Sequence, residues 1–356
     1  MASVKHETLH FRAAVPYLQR LMSFTLATDR PLLAILPDQA RSTVVGRHRA
    51  RFLHAMTTAD ILKAAPGTAG FALMATANGR HVGQVRYEIE AEKIELIGRT
   101  GSLAAVLEAL KKHRVADDVR WSDPVPDGML AVYGERAATL VEAALGVALG
   151  EAAFADALWD GATVRITRIA AVASELGRAA LHLRLPLALA PSLRVRLLAA
   201  GGEPLDVVDW ERLRIEAGWP LDGLDLGAED VALASERLAA TVSWNKGCFL
   251  GQEVYVMARD RGELPKRLRG VVVPTGLVPV VHSEILQAEP AAVAPAVAAV
   301  PAVAFTPKVQ GVMGSAAAVA AGGYVALAML KRKASEPGTE LALPDGRRVR
   351  VVALPR

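Results

Sequence analysis

The stretch GFALMATANGRHVGQVRYEIE, residues 70–90, alternates apolar and polar side chains on both sides of Asn78-Gly79. An Asn-Gly pair between two alternating runs is the strongest short-range signal of a β-hairpin. IELIGR, residues 94–99, follows with the composition of a further strand. These residues therefore predict three consecutive antiparallel strands.

One helix is predicted on each side of this hairpin. Residues 102–113, SLAAVLEALKKH, form the later one, with Ser102 as its N-cap. In RHRARFLHAMTTADIL, residues 47–62, apolar side chains recur at helical spacing, which predicts an amphipathic helix. The residues that carry this spacing are Phe52, Leu53, Met56 and Ile61.

The middle of the chain repeats the same order of elements. MLAVYG, residues 129–134, is predicted as a strand, and RAATLVEAALG, residues 136–146, as a helix that ends at its glycine. TVRITRIA and RAALHLRLP are two further strands, and PSLRVRLLAAGG is a helix. Strand–helix–strand units with antiparallel hairpins predict an α+β fold with two split βαβ units, which meet near residues 120–128.

The pattern changes after Lys266 to short strands that are separated by Gly, Pro and an Asp-Gly turn. Such a pattern is typical of a small β-barrel or sandwich. AEPAAVAPAVAAVPAVAFT, residues 288–306, is rich in Ala and Pro and is predicted as an extended insertion in one of its loops. We therefore divide the chain into residues 1–265 and a C-terminal barrel, residues 266–356.

Composition limits the class of protein. With 52% apolar residues, 22% charged residues and a net charge of +4, the chain has the composition of a soluble globular protein. RDRGELPKRLR, residues 259–269, is a local exception with five basic and two acidic groups, and it is either a solvated edge or an anion site. The N-terminal residues lack an apolar signal core, and the prolines make residues 288–306 a poor membrane helix. We expect a cytoplasmic protein.

KGCFLGQE, residues 246–253, contains the only cysteine of the chain. One cysteine excludes an intrachain disulfide and an all-cysteine metal site. The residues after Cys248 are able to open a helix, and a helix N-terminus together with Lys246 would favour the thiolate. Cys248 is therefore either a buried structural residue or a functional thiol. Gln252 and Glu253 are expected to cap or orient this loop.

Three segments together resemble the superfamily of the glycine cleavage T-protein, namely GRHVGQVRY (79–87), WERLRIEAGWPLDG (210–223) and SWNKGCFLGQEVYVMARDR (243–261). KGCFLGQE is similar to the KGC-[FY]-x-GQE signature of the YgfZ branch, the folate-binding proteins that are linked to iron–sulphur enzymes. The resemblance extends over nearly the whole chain. It implies two ferredoxin-like subdomains and a barrel around a central funnel that holds tetrahydrofolate.

The resemblance also implies roles for individual residues. Cys248 becomes the functional thiol, with Lys246 beside it. Arg214 matches the arginine of LR-x-EAG at the folate site, and Glu175 in SELG resembles the glutamate that meets the pterin ring. Further candidates for folate binding are Gln252, Glu253 and Arg259.

The hairpin departs from the T-proteins in its second strand. T-proteins carry an Asp-Asp pair there, and the matching positions of this chain are Gly83 and Gln84. A neutral amide cannot take up a proton or stabilise a developing positive charge as a carboxylate does. We therefore expect the chain to keep the fold and the folate pocket but to lack glycine cleavage activity.

The resemblance implies a folate-binding accessory factor for the assembly or repair of iron–sulphur enzymes, with an indirect effect on tRNA modification. One thiolate cannot hold a cluster alone, so Cys248 would share it with a partner such as a monothiol glutaredoxin. The alternative is a folate-dependent aminomethyl or one-carbon transferase, or a demethylase. A third hypothesis, an RNA-contacting factor, lacks an aromatic stacking platform, so neither direct nucleic-acid binding nor membrane binding is expected.

Overall fold

The computed structural model describes residues 30–262, 264–289, 306–320 and 322–355. Most of the predicted Ala/Pro-rich insertion at 288–306 lies outside these residues. The strands are β1 Leu32–Ile35, β2 Gln39–Val45, β3 Ala69–Ala75, β4 His81–Ile89, β5 Ile94–Arg99, β6 Arg120–Trp121, β7 Val125–Tyr133, β8 Phe154–Trp159, β9 Ala162–Ile169, β10 Ala180–Leu185, β11 Glu203–Pro204, β12 Lys266–Val273, β13 Glu284–Gln287, β14 Val309–Ala318, β15 Tyr324–Lys331, β16 Glu340–Ala342 and β17 Arg348–Val352. The α-helices are α1 Arg49–Met56, α2 Thr100–His113, α3 Ala137–Leu145, α4 Ala190–Ala199, α5 Val207–Glu216, α6 Glu236–Ala239 and α7 Gln252–Arg261.

The first eleven strands form one curled sheet with the central order β3-β4-β5-β2-β7-β10-β9-β8. Strand β7 joins its two halves, because its first residues pair with β2 and its later residues pair with β10. The two predicted units therefore share hydrogen bonds across β2 and β7. The ferredoxin-like character of each half stays a prediction.

The predicted hairpin is confirmed, since β3 and β4 pair in antiparallel register from Ala69↔Glu88 to Ala75↔His81. Gly79 takes a left-handed φ of 72° in the turn, and its amide donates to the carbonyl of Thr76. A β-carbon at Gly79 would come within 2.5 Å of Val254 on α7, so the turn also needs glycine for close packing. The hairpin is thereby fitted against the helix that follows the cysteine motif.

Two details of the predicted helices are wrong. Helix α2 begins at Thr100, so Ser102 lies inside the helix, and its hydroxyl bonds to other elements instead of capping it. Helix α1 ends at Met56, and Ile61 is buried in the loop beyond it. Ile61 nevertheless packs in the same apolar core as Phe52 and Leu53 of the helix, because the loop folds back onto that core.

The six strands from β12 to β17 close into a barrel in the order β12-β15-β14-β13-β16-β17. The prediction of a small C-terminal barrel is confirmed, although β13 had no clear sequence signal. A shared apolar core connects the barrel to the sheet, and it includes Phe71 of β3, Trp219, Tyr255 of α7 and Leu327 of β15. Among the described helices, none has the length and the apolar character that crossing a lipid bilayer requires.

Candidate functional site

Two adjoining recesses lie between the β3–β4 hairpin and the second half of the sheet, and both are lined by Phe71, Arg86 and Ile97. They contain about 590 and 600 Å3 of open space. We call the second one the central recess. Its aromatic and polar walls are formed by Phe71, Gln84, Arg86, Ser102, Glu175, Trp210, Trp219 and Asp222.

Glu175, the expected pterin contact, lies in the wall of the central recess and is paired with Arg86. Nη2 of Arg86 donates to Oε1 of Glu175 at 2.7 Å and to the carbonyl of Ala173 at 2.9 Å. Burial alone would raise the pKa of Glu175, yet the charges of Arg86 and His182 outweigh it and lower the pKa to about 2. The recess therefore presents an ionised carboxylate whose charge is compensated.

The second oxygen of Glu175 is supported by a chain of buried aromatic groups. The hydroxyl of Tyr133 donates to Oε2 at 3.3 Å, and Nε1 of Trp210 donates to that hydroxyl at 3.0 Å. Burial and the neighbouring Glu175 raise the pKa of Tyr133 well above its usual range, so the phenol stays a donor. These contacts fix the carboxylate in one orientation.

Glu88 holds the first recess together across the two halves of the sheet. Its carboxylate accepts hydrogen bonds from Thr167 at 2.5 Å, from Arg184 at 2.9 Å and from Arg165 at 3.0 Å. The donors lie on β9 and β10, whereas Glu88 lies on β4. This buried cluster is a structural connection, because each charge has a partner within the protein.

A second carboxylate, Asp222, lies in the central recess and was not predicted. It follows α5 and reaches β4, where Oδ1 lies 2.7 Å from Nε2 of His81 and 2.5 Å from Nε2 of Gln84. Oδ2 accepts from the amide of Gln84 at 3.0 Å and from the hydroxyl of Ser102. Burial by itself would raise the pKa of Asp222, but His81 and these hydrogen bonds lower it.

Gly83 allows α2 to lie directly against β4 at this point. A β-carbon at Gly83 would be 2.9 Å from Oγ of Ser102 and 3.0 Å from the Ser102 carbonyl. A carboxylate side chain at this position therefore has no room. Of the two positions that match the Asp-Asp pair, only Gln84 carries a side chain into the recess wall.

Arg214 does not line either recess. Its side chain is fully buried, and its guanidinium binds the carboxylates of Glu211 and Asp225 and the carbonyl of Trp219. Nε donates to Glu211 at 2.9 Å, and Nη1 donates to Asp225 at 3.0 Å. The carboxylates of Glu211 and Asp225 compensate the charge of Arg214, and its expected contact with folate stays a prediction.

The cysteine motif forms a separate loop beside the end of α1. Cys248 is exposed, and α7 begins only at Gln252, after Gly251 in a left-handed conformation. Nζ of Lys246 donates to the carbonyls of His54, Thr57 and Ala59, which binds its ammonium group to the end of α1. Burial lowers the pKa of Lys246 to about 8. Lys246 therefore anchors the loop to α1. Its expected effect on the thiol of Cys248 stays a prediction.

Gln252 caps this loop, as predicted. Its Oε1 accepts from the amide of Phe249 at 3.1 Å, and its Nε2 lies 3.6 Å from Sγ of Cys248. Glu253 is exposed in the first turn of α7. Arg259 is also exposed, and it binds Asp260 and covers the ring of Trp244 at 4.7 Å. None of these residues lines the two recesses.

No group of three or more His, Cys, Asp or Glu side chains that could hold a metal ion occurs within the residues that the structure describes. The described surroundings of Cys248 include Gln252 and no second thiol. A cluster at Cys248 would therefore need ligands from another molecule.

No family model matches the chain. The aminomethyltransferase of Frankia alni is 30% identical over 261 residues, which cover 71% of this chain and 69% of that protein. The aminomethyltransferase of Mycobacterium avium is 27% identical over 234 residues, which cover 64% of this chain and only 62% of that protein. The match thus spans less than two thirds of the mycobacterial relative.

Among solved structures, the glycine cleavage system aminomethyltransferase T from Bartonella henselae has the same overall fold. It superposes with a TM-score of 0.71 at 18% identity, over 92% of this chain and 86% of that chain. The likeness covers both the curled sheet and the closed barrel. At 18% identity this likeness shows the fold alone, and the chemistry depends on the individual side chains.

Proposed function

Because the chain belongs to the aminomethyltransferase family, we propose that it binds tetrahydrofolate in the central recess and transfers a one-carbon unit from an aminomethyl donor to it. This is the alternative hypothesis of the sequence analysis, and family membership favours it over the iron–sulphur accessory role. The observation that carries it is Glu175, an ionised carboxylate held among aromatic walls.

The residues of the recess fit a reduced folate by the chemistry of their groups. A pterin ring is flat and offers paired N–H donors, which a fixed carboxylate accepts well. Phe71 and Trp219 meet edge to face with ring centroids 5.3 Å apart and supply apolar walls for such a ring. Glu175 would hold the N–H edge, and Arg86 would keep the carboxylate charged and oriented. We also propose that each half of the sheet is ferredoxin-like and that this recess is the funnel between them.

The reaction class follows from electron balance. Transfer of an aminomethyl carbon to tetrahydrofolate forms two C–N bonds to folate nitrogens and breaks the C–S bond to a lipoyl carrier and the C–N bond to the amine. The two protons that the folate nitrogens lose go to the carrier thiol and to the amine, which leaves as ammonia, so there is no net oxidation. Demethylation of a methylamine would need a separate oxidant, so we propose the aminomethyl form. When bound, the folate supplies the accepting nitrogens, and the residues of the recess bind it, orient it and exclude water.

Calorimetry with tetrahydrofolate tests this proposal. We expect wild-type protein to bind it, and Glu175→Gln to bind at least about tenfold more weakly, because a buried charge-assisted hydrogen bond is lost. Glu340→Gln is the matched control, since Glu340 is an exposed carboxylate on the barrel that also pairs with arginines. Absence of binding by folded wild-type protein would remove the folate site. Formation of methylene-tetrahydrofolate from an aminomethyl-lipoyl carrier protein tests the transfer itself.

A second candidate function, membership of the YgfZ branch with a role for iron–sulphur enzymes, is favoured by the exposed thiol of Cys248. Its sulfur is accessible in a loop that Lys246 anchors, and it is the only thiol of the sequence. In a deletion strain, Cys248→Ser would fail to restore iron–sulphur enzyme activities but would keep folate binding. Full restoration by Cys248→Ser would exclude a role for the thiol, and a monothiol glutaredoxin is the first partner to test.

A further inference from the structure

The amide of Gln84 has a fixed orientation. Its Nε2 lies 2.5 Å from Oδ1 of Asp222 and 3.1 Å from the carbonyl of Pro220. Because a carbonyl and an ionised carboxylate only accept hydrogen bonds, the nitrogen must face them and both of its hydrogens are used. Oε1 therefore points the other way, and it accepts no hydrogen bond from the residues that the structure describes.

Asp222 is itself held rigidly. Four donors converge on its carboxylate, namely Nε2 of His81, Nε2 and the backbone amide of Gln84, and the hydroxyl of Ser102. Asp222 comes from the loop after α5, whereas His81 and Gln84 lie on β4 and Ser102 on α2. The direction of the Gln84 amide is thus set by a carboxylate from outside the sheet.

The charge of Asp222 is less compensated than that of Glu175. Glu175 is paired with Arg86, but within the described chain Asp222 contacts neither a lysine nor an arginine, and His81 is its one ionisable donor. Its side chain is 15% exposed and lines the central recess. This end of the recess therefore combines a negative charge with the acceptor oxygen of Gln84.

We propose that Gln84 is a specificity-determining residue whose Oε1 accepts a hydrogen bond from the nitrogen of an amine substrate, and that Asp222 is the positioning residue that turns this oxygen towards the recess. The inference rests on the proposed function, because it places the amine donor beside Gln84 and Asp222 and the pterin beside Glu175. It predicts selectivity for amines that keep an N–H group. A fully substituted ammonium ion has the same charge but nothing to donate to Oε1.

A pair of small cations tests this without the transfer reaction. We would measure binding of dimethylammonium and tetramethylammonium chloride to the whole protein by ligand-observed NMR. Wild-type protein is expected to prefer dimethylammonium by about three- to tenfold, the equivalent of one hydrogen bond. Gln84→Met, which is similar in size, and Asp222→Asn should each abolish the preference. Gln310→Met on the barrel is the control and should retain it.

A double-mutant cycle separates positioning from a structural effect. If Asp222 acts through Gln84, then adding Asp222→Asn to Gln84→Met changes the selectivity no further. Independent, additive losses would overturn the positioning role, and equal binding of both cations or of neither by wild-type protein would overturn the site. Urea unfolding of each variant identifies a protein that has not folded. If Gln84→Met does not fold, Gln84→Ala replaces it and should also abolish the preference, because alanine has no acceptor oxygen. Tetrahydrofolate calorimetry does not depend on the binding of these cations. Failure of the proposed folate site can therefore be distinguished from failure of the amine site.

Discussion

Nη2 of Arg86 lies 2.7 Å from Oε1 of Glu175, so this carboxylate of the central recess has a positive partner inside the protein. Its pKa is about 2 in the folded protein against an ordinary 4.5, and the unfolded chain therefore binds its proton at higher pH. This group contributes up to about 3 kcal/mol to the free energy of unfolding. The contribution is complete above about pH 4.5 and is lost as the pH falls towards 2.

Urea unfolding between pH 6 and 2 is the measurement for this prediction. Wild-type protein should lose more stability below about pH 4.5 than Glu175→Gln, which has no group to titrate there. Glu340→Gln should change the profile much less than Glu175→Gln, because hydrogen bonds from Arg350 and Arg348 lower the pKa of Glu340 but solvent screens this exposed group. Parallel profiles for wild type and Glu175→Gln would contradict the assigned pKa.

The close approach of α2 to β4 predicts a large difference between two glycines. Gly83→Ala would place a β-carbon 2.9 Å from Oγ of Ser102 and should destabilise the protein by about 1–3 kcal/mol. Gly101→Ala is the control in the first turn of α2, since no atom lies within 4 Å of the place that its β-carbon would occupy and alanine favours the helix. Thermal unfolding compares the two, and equal melting temperatures would show that Gly83 is not tightly packed.

Arg214 and Arg259 should differ in their effect on stability. Arg214→Met leaves the buried carboxylate of Asp225 without its cation and should cost about 3–5 kcal/mol of unfolding free energy. Arg259→Met removes an exposed side chain and should leave the unfolding free energy unchanged. Chemical denaturation measures both. A stable Arg214→Met protein that had lost folate binding would instead restore Arg214 as a ligand contact.

Lys246 should act on stability through the end of α1. Lys246→Met leaves the carbonyls of His54, Thr57 and Ala59 without their donor and should destabilise the protein by about 2–4 kcal/mol. Lys112→Met, on the exposed face of α2, is the control. Unfolding by urea gives the difference, and the alkylation rate of Cys248 should rise as its loop loosens. Equal stability of the two variants would show that Lys246 does not anchor the loop.

Local patterns in the sequence predict much of the fold because they depend on neighbouring residues. The Asn78-Gly79 hairpin and the helix ending at Gly146 both follow from backbone conformations that their residues favour. Ser102 shows the limit of such reasoning, because a serine at a helix start resembles an N-cap. Its hydroxyl is used instead by Gln84 and Asp222, which are close only after folding.

The candidate site was only partly predictable for the same reason. Glu175 was found through a resemblance, and it lies in the recess, but its partner Arg86 is 89 residues away in sequence. Asp222 is 138 residues from Gln84, and no local signal connects them. Arg214 was expected at a ligand because its segment resembles a folate-site motif, yet its carboxylate partners are supplied by the protein itself.

The contacts of Asp225 determine whether the barrel can be separated from the rest of the protein. Its carboxylate accepts hydrogen bonds from Arg214, from the amide of Leu221 and from both the amide and the hydroxyl of Ser315 on β14. Asp222 lies in the same short loop, so the barrel strand helps to hold the wall of the recess. The barrel is therefore not an exchangeable module, and a fragment that ends before Lys266 would lose the Ser315 donors and leave a charged group poorly satisfied in its interior. A barrel taken from a relative would fit only if the loop that carries Asp225 were exchanged together with the barrel residue that faces it.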